Sequence, residues 1–302
     1  MKFSTVCTAT ALALALLASP PALAEAQEDS PKAEAQSNGP ALWKVADEDT
    51  TIYLFGTVHA LPADIEWYDE EIAAALAASD TLVTEIRMDS ASEREMQQAA
   101  MEKSVLPQGT TLRSLLNPEQ TAAYESALAE LSLPPVAFDR FEPWMAGLTL
   151  TMLPLMKEGI SPDTGVEKVL LRKAGDKPQD ALETAEFQLN IFDTLPQDKQ
   201  VAFLMEAVEG MDEAKETLDA MIAEWVEGDA DALAELMNEG LDDPEIAEAL
   251  LYDRNANWAE WIVTRLDAPG TVFVAVGAGH LAGNKSVQDQ LAKREIEVQR
   301  VR

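Results

Sequence analysis

Residues 51–61 read TIYLFGTVHAL and residues 272–283 read VFVAVGAGHLAG, and each stretch joins an apolar run to the pattern Gly-x-x-His. These two segments hold the only histidines of the 302-residue chain, His59 and His280. Only 14 residues are glycine, so the shared spacing is an infrequent coincidence. We predict the same order of strand, glycine turn, histidine and helix in both segments. Because histidine binds metals and moves protons at neutral pH, the pair predicts one shared site.

Strand patterns lie near the two ends of the chain, and helical patterns fill its centre. We predict strands over 42–46, 51–58, 81–86, 271–276 and 296–301. We predict helices between them, among which 198–226 and 245–266 are the longest. This order predicts a helix-rich α/β fold with a central mixed sheet built from the chain ends. Residues 41–302 are expected to form a single domain that carries a helical insertion over about 91–266.

The ends of the predicted strands supply the candidate site. In α/β sheets, ligands gather at the carboxyl ends of strands, where loops converge. Glycine permits tight turns and a close approach of backbone to ligand, so Gly56, Gly277 and Gly279 are candidate ligand- or cofactor-contacting positions. Glu85 ends another strand and is a candidate metal ligand or general base, with a solvated carboxylate as the plain alternative.

Three further polar residues are candidates. Glu183 follows a short apolar stretch and is a possible second carboxylate ligand. Arg254 and Asn255 lie within the apolar and aromatic segment LLYDRNANWAEWI, residues 250–262. A guanidinium there could steady an oxyanion, or Arg254 could pair with one of the many acids. Asn255 could bridge a ligand or cap a turn.

The first residues have the pattern of a targeting segment. Met1-Lys2 is a short basic start, residues 11–17 are apolar, and Ala22-Leu23-Ala24 is a typical cleavage site. We predict cleavage near Ala24, a periplasmic or secreted protein without membrane insertion, and a flexible linker over residues 25–40. An uncleaved membrane anchor is the alternative. Cys7 would leave with the signal, which excludes disulfides and a cysteine nucleophile.

The charge balance is strongly acidic, with 54 Asp and Glu against 22 Lys and Arg, for a formal net charge of −32. Such a surface repels phosphate backbones and anionic lipids. We therefore expect neither nucleic acid nor a membrane surface as a partner. A peptide or a small molecule is the expected partner.

From LWKV at residues 42–45 to the C-terminus, the chain resembles the TraB/PrgY/GumN family. That family is related to the Tiki metallopeptidases, within a superfamily that includes erythromycin esterases and ChaN-like proteins. The resemblance rests on the segments YLFGTVH, TLVTE, GVEKVLLRKAGDKPQDALET, RNANW and VFVAVGAGHLAG. It implies that His59, His280 and Glu85 act in divalent-metal-dependent peptide cleavage. Where the family often has Gly-x-Asp, this chain has Gly165-Val166-Glu167, and the longer side chain weakens a catalytic role there.

The working hypothesis is a peptidase-like hydrolase with a divalent metal such as Zn²⁺, Mn²⁺ or Co²⁺. Two imidazoles and a carboxylate would hold the metal, which would polarise a carbonyl and activate water. The first alternative is a ligand-binding protein in which the histidines bind haem iron axially. The second is a noncatalytic envelope or polysaccharide-associated protein of the GumN type, in which the histidines brace the loops. Metal-free, histidine-driven ester hydrolysis is a further alternative.

Overall fold

The computed structural model describes residues 39–238 and 243–302. The predicted targeting segment, and nearly all of the predicted linker, lie outside the described residues. Within these ranges the chain forms six strands: β1 Leu42–Ala46, β2 Thr50–Thr57, β3 Thr81–Thr84, β4 Gln179–Ala181, β5 Gly270–Gly277 and β6 Gln299–Arg300. The α-helices in the same ranges are α1 Glu70–Ala78, α2 Ser90–Lys103, α3 Pro118–Glu130, α4 Pro143–Lys157, α5 Val166–Ala174, α6 Ala185–Asp193, α7 Gln197–Glu209, α8 Ala214–Glu227, α9 Ala230–Asn238, α10 Pro244–Ala247, α11 Asp253–Leu266 and α12 Val287–Ala292.

All six strands form one mixed sheet in the order β4-β3-β5-β2-β1-β6. Strands β4, β3, β5 and β2 run parallel, and β1 is antiparallel to both of its neighbours. The predicted helix-rich α/β fold with a mixed central sheet is therefore confirmed. Strand β4 comes from the middle of the chain rather than from its ends. Its sequence, QDA, has no apolar pattern to predict a strand.

The central strands β2 and β5 are buried on both faces of the sheet. Phe55 and Phe273 point into the larger core, where Phe55 meets Trp225 of α8. The alternate residues Leu54 and Val274 point into a second core that contains Trp258 of α11. A parallel strand covered on both faces reads as a continuous apolar run, which explains the sequences IYLF and VFVAV.

The helical layer departs from the sequence prediction in one place. The single helix predicted over 198–226 is wrong, because the chain breaks it into α7 and α8. Gly210 caps the end of α7, and Gly228, whose φ of +76° suits glycine, caps the end of α8. The segment predicted as one helix over 245–266 stays helical but contains a π-helical turn at Glu248–Tyr252, just before α11.

None of the described helices combines the length and the apolar character that crossing a bilayer requires.

Candidate functional site

Four parallel strands end at the same edge of the sheet, and each is followed by a candidate residue. Strand β2 leads to His59, β3 to Glu85, β4 to Glu183 and β5 to His280. The distances confirm that these ends converge: the Gly277 N–H donates to Glu85 Oε1 at 2.7 Å. A Cβ built on Gly277 would lie 3.5 Å from His59 Nε2 and 3.5 Å from His280 Cδ2. The fold therefore brings the two Gly-x-x-His segments to one site.

His59 is held in place by the start of α5. Its Nδ1 lies 2.5 Å from Glu167 Oε1, and the Thr57 hydroxyl donates to the same oxygen at 2.5 Å. The Val166 N–H donates to the Val58 carbonyl at 3.0 Å, which fixes the helix start against the first Gly-x-x-His turn. The backbones approach so closely that a Cβ at Gly165 would collide with the carbonyl oxygen of His59. The backbone contacts therefore fix the position of His59, and the contact with Glu167 orients its imidazole.

The charges around His59 favour its protonated form. Burial alone would lower the pKa of His59, but the Glu167 carboxylate, its hydrogen bond and the Glu85 carboxylate raise it to about 9. Since Nδ1 contacts Glu167, the proton on Nδ1 is fixed there. The other nitrogen, Nε2, makes no hydrogen bond within residues 39–238 and 243–302. His59 thus keeps one nitrogen without a protein partner in these ranges, and the residue lines the pocket described below, with 19% of its side chain exposed.

His280 occupies the opposite environment, since it is only 1% exposed and its ring centroid lies 4.3 Å from that of Trp258. Its Nε2 lies 3.2 Å from Arg254 Nη1, and its Nδ1 lies 2.6 Å from Asn255 Oδ1. Arginine is only a donor, so Nε2 must accept and Nδ1 must carry the hydrogen. Burial and the Arg254 charge lower the pKa of His280 well below its usual 6.5. His280 is therefore neutral, with both nitrogens in use.

Arg254 lies at the centre of the buried network and is completely buried. Its Nη2 donates to Glu85 Oε2 at 2.5 Å, and its Nε donates to Glu183 Oε1 at 2.9 Å. Its Nη1 also donates to the Leu250 carbonyl, within the π-helical turn, at 3.0 Å. The guanidinium stands 4.8 Å from the Trp258 ring centroid. These contacts match the predicted alternative in which Arg254 pairs with acids, and the oxyanion role stays a prediction.

Asn255 also acts within this network. Its Oδ1 accepts from His280, and its Nδ2 donates to the Lys285 carbonyl at 2.9 Å. The residue therefore ties His280 to the loop before α12. In this arrangement it bridges two protein groups, and contact with a ligand stays a prediction.

Glu85 is an ionised, fully engaged carboxylate. Burial would raise its pKa, but Arg254, the nearby histidines and the Gly277 N–H lower it to about 2. Its Oε1 accepts from Gly277, and its Oε2 accepts from Arg254 and from Gln188 Nε2 at 3.0 Å. A carboxylate with so low a pKa is a weak base. Its negative charge instead favours protonated His59.

A small pocket opens beside His59, with a volume of about 40 Å³, room for a few water molecules or for one small group of a larger ligand. Its lining consists of His59, Thr84, Glu85, Ile86, Met88, Pro162, Glu167, Lys168 and Gln188. Arg254, Asn255, Glu183 and His280 are not part of this lining and lie behind it. The predicted site residues thus separate into one layer that faces the pocket and one that supports it.

The three candidate glycines have different surroundings. A Cβ on Gly56 would stand 3.0 Å from Ala278 Cβ, and a Cβ on Gly279 would stand 3.1 Å from Met237 Cε. At these two positions glycine allows another segment of the same chain to pack closely against the backbone. Gly277 alone of the three lies on the site, where its N–H binds Glu85.

The donor set does not fit the metal predicted between His59, His280 and Glu85. The Nε2 lone pair of His280 already accepts from Arg254, so a cation there would replace the hydrogen bond and face the guanidinium charge. Within the described residues, no group of three or more His, Cys, Asp or Glu side chains is placed to hold a metal ion. Axial ligation of haem meets the same obstacle at His280. As arranged, the described residues of the site therefore offer no ligand set for a metal ion or for haem iron at His280.

Sequence reasoning missed three charged or amide side chains of the pocket lining, Glu167, Lys168 and Gln188. Glu167 was discounted because it replaces an expected aspartate, yet it contacts His59 directly. The available signal was its position in the Gly-x-acid motif, because a glutamate side chain can still reach the histidine in a different rotamer. Gln188 gave no signal at all, because a single glutamine in a helix is most often a surface residue.

Comparisons with known proteins identify the family of the chain. The model of the TraB/PrgY/gumN family matches residues 41–300, so the chain belongs to that family. A protein of Treponema pallidum (strain Nichols), described as uncharacterized, is 22% identical over 274 residues, which cover 84% of this chain and 80% of the relative. No solved structure matches the chain.

Proposed function

We propose that this member of the TraB/PrgY/gumN family is a hydrolase of esters or amides in which His59 is the general base. One observation carries the proposal: Glu167 holds His59 Nδ1 at 2.5 Å, while Nε2 has no hydrogen-bond partner among the described residues and His59 lines the pocket. A carboxylate that orients an imidazole and stabilises its protonated form is a recurrent arrangement for activating a nucleophile. Here the nucleophile is water, because the pocket lining includes no serine or cysteine, and the hydroxyl of its threonine, Thr84, donates to the Ile86 carbonyl rather than to His59.

The proton transfers follow from the geometry. The pKa of His59 is about 9, so the imidazolium must first lose its Nε2 proton to become a base. Neutral Nε2 then takes a proton from water as the water oxygen bonds to the substrate carbonyl carbon. When the tetrahedral intermediate collapses, His59 returns that proton to the leaving oxygen or nitrogen as its bond to carbon breaks. Glu167 accepts the Nδ1 hydrogen bond throughout.

The remaining residues support this step. Glu85 has a pKa of about 2 and donors on both oxygens, so it holds negative charge beside His59 rather than accepting a proton. Arg254, Glu183, His280 and Asn255 fix Glu85 in turn. Lys168 is the other cationic side chain in the pocket lining, and its ammonium is available to stabilise an oxyanion. It pairs at 2.8 Å with Asp163, whose exposed carboxylate is easily exchanged for substrate.

The test is a screen of nitrophenyl esters and short peptides, with and without a chelator, combined with elemental analysis of the same protein. We expect chelator-insensitive hydrolysis whose rate rises with pH toward about 9, the pKa of His59. His59→Gln should lower kcat by about 10²–10⁴-fold, the usual contribution of a general base. The chain offers a matched control in His280→Gln, which should lose stability but keep far more activity per folded molecule.

Two results would overturn the proposal. One is activity that disappears with chelator and returns with stoichiometric divalent metal, which would favour the metal-dependent hydrolase instead. The other is a complete absence of hydrolysis across the screen, which would favour a noncatalytic role for the pocket.

A further inference from the structure

Gln188 lines the pocket but takes no part in the proton transfers proposed above. It lies in the first half of α6, and it is 1% exposed. A glutamine buried to this degree normally has all of its polar atoms hydrogen-bonded, because an unpaired polar group in a low-dielectric interior costs free energy. The partners of Gln188 are therefore informative.

The orientation of the Gln188 amide is fixed by two carboxylates. Its Nε2 lies 3.0 Å from Glu85 Oε2 and 3.0 Å from Glu183 Oε2. Ionised carboxylates only accept hydrogen bonds, so the NH₂ group must face both of them. The amide has two N–H groups, and this arrangement uses both. A flipped amide would set its oxygen against two negative charges.

The amide oxygen is the remaining polar atom. No hydrogen bond within residues 39–238 and 243–302 uses Gln188 Oε1. The buried polar atoms without a partner in the same residues include Gln200 Oε1 but not Gln188 Oε1. The oxygen of Gln188 therefore keeps access to open space, and the pocket that the residue lines provides that space. The site presents a fixed acceptor for which the described residues supply no donor.

We infer that Gln188 is a specificity-determining residue whose carboxamide oxygen accepts a hydrogen bond from the substrate. The inference rests on the proposed function only in taking the pocket as the substrate site. Because the two carboxylates prevent the amide from turning, Gln188 can bind a hydrogen-bond donor of the ligand but not an acceptor. The favoured ligands carry an N–H or O–H group close to the reacting carbonyl. An analogue with an oxygen in place of that N–H leaves the acceptor unpaired and is disfavoured.

The test compares ligands by binding rather than by turnover. The probes are an acetylated dialanine methylamide and its analogues in which each N–H in turn is replaced by an ester oxygen. Dissociation constants are measured by NMR titration at a pH below the His59 pKa. With the wild-type protein, we expect one analogue to bind about tenfold more weakly than the parent, the size of one neutral hydrogen bond. In Gln188→Met, the parent and that analogue should bind equally.

Gln200→Met is the matched control, since it changes a second buried glutamine that lies outside the pocket lining. It should keep the wild-type discrimination. Equal binding of all probes to the wild-type protein would overturn the inference without any variant, and so would an absence of binding at millimolar concentration. Discrimination that persists in Gln188→Met would overturn it as well. Failure of hydrolysis would count against the proposed function alone, because these constants do not depend on turnover.

Discussion

The two Gly-x-x-His segments have the same local sequence pattern, lie on neighbouring parallel strands, and give their histidines opposite properties. His59 keeps one nitrogen free, and carboxylates raise its pKa to about 9. His280 has both nitrogens engaged, and burial with Arg254 lowers its pKa well below 6.5. The difference comes from the helix behind each turn. Helix α5 supplies an acid at Glu167, whereas α11 supplies a cation and an amide at Arg254 and Asn255.

The comparison therefore separates His59, the proposed general base, from His280, which supports the site. A motif that places a histidine at a strand end fixes its position but not its charge. The charge is set by residues distant in sequence, which either donate to the ring or accept from it. Substitutions around the two histidines can remove this difference in charge, and pH titrations can measure it.

The largest effect is expected for Arg254→Met, which removes the cation on the His280 side of the site. Glu85 and Glu183 would then lose their shared partner while still buried, and His280 would lose the donor to Nε2. Removing one member of a buried ionic network costs about 3–5 kcal/mol of unfolding free energy. Urea denaturation measures the change. Arg254→Lys is the control, because it keeps the charge but loses the forked geometry, and a loss under about 1 kcal/mol in Arg254→Met would contradict the supporting role.

The next prediction uses the opposite pKa shifts of the two histidines. The pKa of His59 is raised from 6.5 to about 9, so its contribution to stability is fully present below pH 6.5 and is lost as the pH rises through 9. A pKa raised from 6.5 to about 9 corresponds to about 3 kcal/mol of unfolding free energy. The pKa of His280 is lowered, so only the unfolded chain gains its proton, and stability falls as the pH drops below 6.5.

Unfolding free energies across this pH range test both halves of the prediction. His59→Gln should flatten the decline between pH 6.5 and 9 while leaving the acid limb intact. His280→Gln should do the reverse, removing part of the decline below pH 6.5. If both variants changed the same limb, the asymmetry between the histidines would be wrong.

A smaller effect is expected for Glu167→Gln, which removes the charge behind His59. Without the carboxylate, burial lowers the pKa of His59 with less opposition, so the pKa should fall from about 9 toward 6.5. The Cε1–H resonances of the two histidines, followed by NMR across pH, measure this directly. Glu167→Asp is the control, since it keeps the charge on a shorter side chain. An unchanged His59 midpoint in Glu167→Gln would contradict the role assigned to the carboxylate.

The fold could be predicted to a large extent because its central strands are buried on both faces. The runs around Phe55 and Phe273 indicate interior strands, and the long helical segment between them favours parallel pairing if the two strands are neighbours. The strand Gln179–Ala181 could not be predicted, since it is an edge strand held by backbone pairing with β3 rather than by its side chains. The break at Gly210 was visible as a glycine within a helical pattern, but the pattern continued on both sides.

The site could be predicted only in part. The meeting of His59, Glu85, Glu183 and His280 follows from parallel strands that end at one edge. The division of labour among them does not follow, because it depends on which side chains fill the space behind each strand end. Arg254 illustrates the limit: the sequence allowed a guanidinium at the substrate or one paired with acids, and only the packing of α11 on the sheet shows the acids within reach.

The smallest effect is expected for Trp258→Phe, which sharpens the description of the His280 side. The indole Nε1–H donates to Glu183 Oε1 at 2.8 Å, and the ring packs against both His280 and Arg254. Phenylalanine keeps most of the ring contact but removes one hydrogen bond to a carboxylate that retains Arg254 and Gln188 as donors. Because Glu183 keeps these partners, we expect a loss of only about 1–2 kcal/mol in urea denaturation. A loss as large as that of Arg254→Met would mean that the indole, rather than the guanidinium, holds the supporting layer together.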